Sequence, residues 1–165
     1  MLSRALFPAT LLLLMACSDG GSPDLAEFGS FSATLGGVRA GQLAGPANAG
    51  LASTELGEQY AIRMFATHGD KVSFVTLICP GGSPIAVGTF RLGPGETCEG
   101  RYGVAESQGF AIIELAIADR GSMTVSLSSQ DEIDGSFSFQ GPLVENADTV
   151  GTVSARGGFR AVRID

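Results

Sequence analysis

Tryptophan is absent from this 165-residue chain, histidine and lysine occur once each, and tyrosine occurs twice. Each scarcity excludes something. With His68 the single histidine, a Ser-His-Asp or Cys-His system has one possible base. Asp70 lies two residues on, and no serine occupies a Gly-x-Ser-x-Gly elbow. His68-Gly69-Asp70 therefore reads as a polar hairpin turn. With one histidine, and with Cys79 and Cys98 expected to be oxidised to a pair, no usual ligand set for zinc is left, so no metal and no cofactor is expected. Carbohydrate sites commonly stack sugars on exposed aromatics. Only Tyr60 and Tyr102 are on offer here, and both read as core or rim residues. Basic residues are few, 10 against 17 acidic ones, for a net charge of −7. That balance argues against nucleic acid and against charge-driven binding to anionic membrane.

Long apolar runs are also missing, apart from one at the N-terminus. Arg4 precedes an apolar core from Ala5 to Met15, the layout of a secretory signal. That core is shorter than the roughly 20 residues a membrane span needs. Leu14-Met15-Ala16-Cys17 ends it. These four residues resemble the lipobox of bacterial lipoproteins, with a small residue before the cysteine. The resemblance implies cleavage after Ala16, lipidation of Cys17 and anchoring in the bacterial cell envelope. Two or more acyl chains give stable attachment where one does not. By the sorting rule of such lipoproteins in enteric bacteria, the resemblance also implies the outer membrane, because Ser18 follows the cysteine and Asp19 stands one place later. An ordinary signal cut near Ala16, leaving Cys17 a free thiol, is the alternative.

On this reading residues 1–16 are a signal and residues 17–26, rich in Gly, Ser and Asp, are a tether. Residues 27–165 form a single antiparallel β domain. Loss of Arg4 with the signal takes the charge to 9 − 17 = −8. Lipidation of Cys17 would leave Cys79 and Cys98 as a pair in an oxidising compartment, expected to form a disulfide.

What is abundant is glycine, at 24 residues. It punctuates short segments that alternate apolar and polar, the mark of half-buried strands. The expected strands run from Gln59 to Thr67, Lys71 to Cys79, Ile85 to Leu92, Thr97 to Glu106 and Phe110 to Ala118. Gly36-Gly37 reads as a tight turn, Gly41 to Thr54 as a loop or weak edge strand, and Gly121 as a turn. The clearest pattern pairs Met123, Val125 and Leu127 with Phe137 and Phe139 on one apolar face. Asp131-Glu132-Ile133-Asp134 turns the chain between them. Gly141 to Asp148 reads as a loop, and Val150 to Ile164 as one or two strands broken at Gly157-Gly158. Nine or ten short strands suggest an antiparallel β-sandwich, with a small up-and-down β-barrel as alternative.

Phe31-Ser32-Ala33-Thr34-Leu35-Gly36-Gly37-Val38, Gly88-Thr89-Phe90, Ile133 to Phe139 and Gly151 to Phe159 resemble recurrent phrases of uncharacterised all-β bacterial lipoproteins. The resemblance implies a secreted β domain and brings no activity or catalytic residue. Asp131, Glu132 and Asp134 before Gly135 suggest a calcium loop, but the register fails, because Gly141 falls where a bidentate glutamate is needed. The remaining 14 acidic residues give no pairing that would mark a glycosidase. The expected function is a non-enzymatic envelope lipoprotein with a structural or binding role toward an envelope partner. The rival is a carrier of small apolar ligands with a lipocalin-like interior. A hydrolase is the least supported reading.

Overall fold

The computed structural model describes residues 28–54, 57–109 and 111–164. The signal, Cys17 and the tether therefore lie outside the described residues, as does Phe110. Ten strands carry the chain, and no helix occurs among the described residues. They are β1 (Gly29–Gly37), β2 (Gly41–Thr54), β3 (Gly57–His68), β4 (Lys71–Pro80) and β5 (Gly88–Arg91). The others are β6 (Glu99–Glu106), β7 (Ile112–Ile117), β8 (Arg120–Ser128), β9 (Glu132–Glu145) and β10 (Asp148–Arg163).

All ten belong to one sheet whose hydrogen bonding returns on itself. Going round, β1 pairs with β2, β2 with β3, β3 with β4, β4 with β6, β6 with β7, β7 with β9, β9 with β10, and β10 with β1. These ladders are antiparallel, and a short parallel contact joins β10 to β2. One edge of β9 is shared. Its Leu143–Glu145 end pairs with β7 and its Ile133–Gln140 portion pairs with β8, and β5 pairs with β8.

Alternation decides which side faces the core. Phe31, Ala33 and Leu35 on β1, Val75 and Leu77 on β4, and Val153 and Ala155 on β10 are all buried. Ile62, Met64, Leu77, Met123, Ile133 and Leu143 are at most 1% exposed, so the inward side chains meet one another.

Several segments differ from the sequence expectation. The β1–β2 turn is Val38-Arg39-Ala40, after Gly37 at φ 79°, and not Gly36-Gly37. Gly41–Thr54 is a full strand whose Ala47 and Ala49 are fully buried, flanked by β1 and β3. The segment from Ile85 shortens to Gly88–Arg91, leaving Ile85 buried in the preceding loop. Gly121 lies in β8, not in a turn. Phe139 packs over it, and a Cβ there would stand 2.4 Å from the Phe139 Cβ. Ile133 is buried within β9, and the turn before it is Ser129 to Asp131. There the Ser129 hydroxyl accepts bonds from the Asp131 and Glu132 amides.

Strand β9 runs on through Gly141 and Pro142. Pro142 sits in the gap between the β8 and β7 ladders, where its missing N–H costs neither of them a bond. The β9–β10 turn is Asn146-Ala147, both at positive φ (51° and 70°), the conformation of a two-residue hairpin that follows strand twist. Strand β10 is unbroken at Gly157-Gly158. A Cβ on Gly157 would stand 2.2 Å from the Ser32 carbonyl oxygen, so glycine there serves close approach to β1. Leu127 is exposed at 40%, unlike Met123, Val125, Phe137 and Phe139, because a bulge between Val125 and Leu127 shifts the register and turns it outward.

Candidate functional site

Cys79 and Cys98 are joined by a disulfide. Ile78 pairs with Glu99 on β4 and β6, so the two cysteines are the next opposed positions of the same ladder. Their Cα separation of 4.4 Å is the spacing of a non-hydrogen-bonded antiparallel pair. Both are buried, which makes the bond part of the core.

His68 pairs with Lys71 across the turn at Gly69-Asp70 and is exposed. The acidic turn is tied to arginines. Arg160 reaches Asp134 at 3.3 Å and Glu132 at 3.7 Å, and the Arg163 amide donates to the Asp131 carbonyl. Among the described residues, no three His, Cys, Asp or Glu side chains gather around a common point. Tyr60 and Tyr102 are both buried, at 4% and 3% exposure.

Two arrangements escaped the sequence reading. The first is a charge cluster near the β1–β2 turn. Arg39 donates to Glu114 on β7 at 2.9 Å and to Glu145 on β9 at 2.8 Å. Glu114 and Glu145 are opposed across their ladder, so one guanidinium holds two adjacent carboxylates. Hydrogen bonding to Glu114 raises the Arg39 pKa above its ordinary value, and the guanidinium stays charged. The two ion pairs tie the β1–β2 turn to β7 and β9 across 75 and 106 residues of chain.

Tyr102 lies beside this cluster. Burial raises its pKa above the ordinary 10.0, and the Glu114 charge raises it further, against an opposing hydrogen bond with Ser73 and the Arg39 charge. Below pH 10 the phenol is neutral in both folded and unfolded chains. Above it the unfolded phenol ionises first, so stability is lost as pH rises from 10 through the higher folded value. Tyr102→Phe should flatten the fall in unfolding free energy as pH rises above about 10, the usual phenol value. Identical slopes for the two proteins by urea titration would contradict this.

The second arrangement is a hydroxyl-rich outer face. The outward positions of six strands align in registered rows. One row runs Gln42, Thr34, Arg156, Ser138, Ser122, Arg91. The next runs Ala44, Ser32, Gly158, Ser136, Thr124, Thr89. At the row ends side chains touch: Thr34 bonds Gln42 at 3.2 Å, and the Thr89 and Thr124 hydroxyls lie 3.1 Å apart. The rows border an open groove of about 800 Å³ over Ser32, Thr124, Ser136 and Arg156. Arg156 is exposed and has neither an ion pair nor a hydrogen bond among the described residues. By contrast Arg160, further along β10, is paired with Asp134. The signal for this face was present in the strict Ser/Thr alternation of residues 122–124 and 136–138. It needed the β10–β1 register to become a surface.

No protein-family model, no curated protein and no solved structure matches this chain.

Proposed function

We propose that this chain is a non-enzymatic binding module of the bacterial envelope, anchored through lipid on Cys17, that engages its partner with the outer face of β1, β10, β9 and β8. The ring of strands is flattened into a sandwich-like body, so that its two sides pack on one another. The observation that carries the reading is the division of labour between the two sides of the sheet. The inward side is filled by Ile62, Met64, Leu77, Met123, Ile133 and Leu143, which leaves an apolar-ligand carrier without a supporting interior. The outward side assembles eight Ser, Thr and Gln side chains with a free guanidinium in two registered rows.

The anchor rests on the Leu14-Met15-Ala16-Cys17 pattern. Cys17→Ser is expected to move the protein from the membrane pellet to the soluble fraction, or to leave an uncleaved precursor. Recovery of native mature protein with an unmodified Cys17 would refute the anchor. The binding mode has its own test. Titration with 1-anilinonaphthalene-8-sulfonate should give no stoichiometric fluorescence rise, and saturable uptake at one site per chain would favour the carrier instead.

A further inference from the structure

The geometry points to a carboxylated polysaccharide as the ligand of the outer face, with Arg156 gripping a sugar carboxylate and the flanking hydroxyls exchanging hydrogen bonds with sugar hydroxyls; this rests on the outer face being the binding surface. Four features carry the inference.

The first is Arg156 itself. It stands in the middle of its row, between Thr34 and Ser138, with no carboxylate in partnership among the described residues. In a chain with a surplus of acids, an exposed and unpaired guanidinium at the centre of a neutral field is a position where charge complementarity is unmet. A guanidinium fork matches a planar carboxylate through two parallel bonds.

The second is the neutrality of its surroundings. Ser32, Ser122, Ser136 and Ser138 offer hydroxyls that have no partner among the described residues. Each is both donor and acceptor, as a sugar hydroxyl is. One free cation among many hydroxyls suits a ligand that offers a single carboxylate per sugar with free hydroxyls beside it. A densely charged polyanion such as nucleic acid draws its affinity from many cations at once, and this face does not supply them.

The third is Gly158. It occupies the centre of the second row, between Ser32 and Ser136, and leaves a notch beside Arg156. An added Cβ would meet nothing closer than the Gly135 carbonyl oxygen at 3.6 Å, so the space is open and a side chain fits without displacing the backbone. The notch is a seat for a ring substituent.

The fourth is the composition of the rows, which hold no aromatic ring. Recognition here runs on charge and hydrogen bonds rather than on stacking. That is how a chain without tryptophan can hold a sugar polymer.

Isothermal titration of the purified full chain with polygalacturonate, dextran and dextran sulfate tests the inference. Polygalacturonate should bind and dextran should not. Arg156→Gln should weaken binding about tenfold to a hundredfold, the scale of one charge-assisted hydrogen-bonded contact. Gly158→Gln should weaken it comparably by filling the notch. Both variants should keep the melting temperature of the parent, since both positions face outward. Four results would overturn the inference: no polygalacturonate binding, binding unchanged in both variants, stronger binding of dextran sulfate than of polygalacturonate, or dextran binding that ignores Arg156→Gln. In the last case, loss of dextran binding in Gly158→Gln would leave the outer-face reading standing while removing the carboxylate. If polygalacturonate binding survives both variants, the outer face fails with it.

Discussion

Phe137→Ala is expected to lower the unfolding free energy by about 3–5 kcal/mol, the scale of a large-to-small change at a buried aromatic. Phe137 is 3% exposed. Its ring lies 6.0 Å from that of Phe139 and 6.5 Å from that of Phe159, centroid to centroid, so three phenylalanines from β9 and β10 form one aromatic layer. Across the ladder Phe137 faces Met123, itself fully buried. Removing the ring therefore opens a void that no exposed chain can enter. Phe137→Leu keeps most of the volume and should cost under about 1.5 kcal/mol. Ser138→Ala, one residue on and outward, should cost less than about 0.5 kcal/mol. Urea unfolding of the three variants checks the order, and equal losses for Phe137→Ala and Ser138→Ala would mean the register is wrong.

The joint replacement of Cys79 and Cys98 by alanine should lower stability by about 3 kcal/mol in the chain-entropy model for a loop of this length. At roughly 2–4 °C per kcal/mol for a domain of this size, the melting temperature should fall by about 10 °C. The bond closes 19 residues of sequence separation. It fixes the β4–β6 ladder at the end where β6 begins and where β5 is only four residues long. Reduction of the parent should reproduce the shift, and reduction of the double variant should do nothing further. A parent whose melting is unchanged by reductant would contradict the structural role assigned to the bond.

The inward register of β8 and β9 was legible because apolar and polar residues alternate strictly from Ser122 to Val125 and from Ser136 to Gln140. It misled at Leu127, because a bulge is a backbone irregularity that composition does not announce. The Cys79–Cys98 pairing was legible by elimination, once Cys17 was assigned elsewhere. Glycine was the main source of error. Gly36, Gly121 and Gly157 read as turns, yet each lies within a strand. At Gly121 and Gly157 the missing side chain makes room for Phe139 and for the β1 backbone. From one sequence, a glycine that bends the chain and a glycine that lets a neighbour approach look alike. The same ambiguity hid β2, whose small residues are demanded by close packing. Proline misled in the same way at Pro142, where a gap between two ladders removes its usual cost.

The site was harder to read than the fold. Arg39, Glu114 and Glu145 are brought together by ring closure, and nothing local to any of them signals the others. The outer face depends on the same closure. Ser32 and Thr34 from the first strand share rows with Ser136 and Ser138 from the ninth only because β10 lies between β1 and β9. Hydroxyls at alternate positions read locally as a wet face. Only the register turns them into rows.

On the proposed binding mode a ligand sits on the outer face and not in the interior. Amide and methyl NMR of the protein titrated with polygalacturonate tests this most directly. The expected result is a set of shifts confined to Ser32, Thr34, Ser136, Ser138, Arg156 and Gly158, with the methyl signals of Ile62, Met64, Met123 and Leu143 unmoved. Shifts centred on those interior methyls, with the Ser and Arg156 amides unmoved, would contradict it.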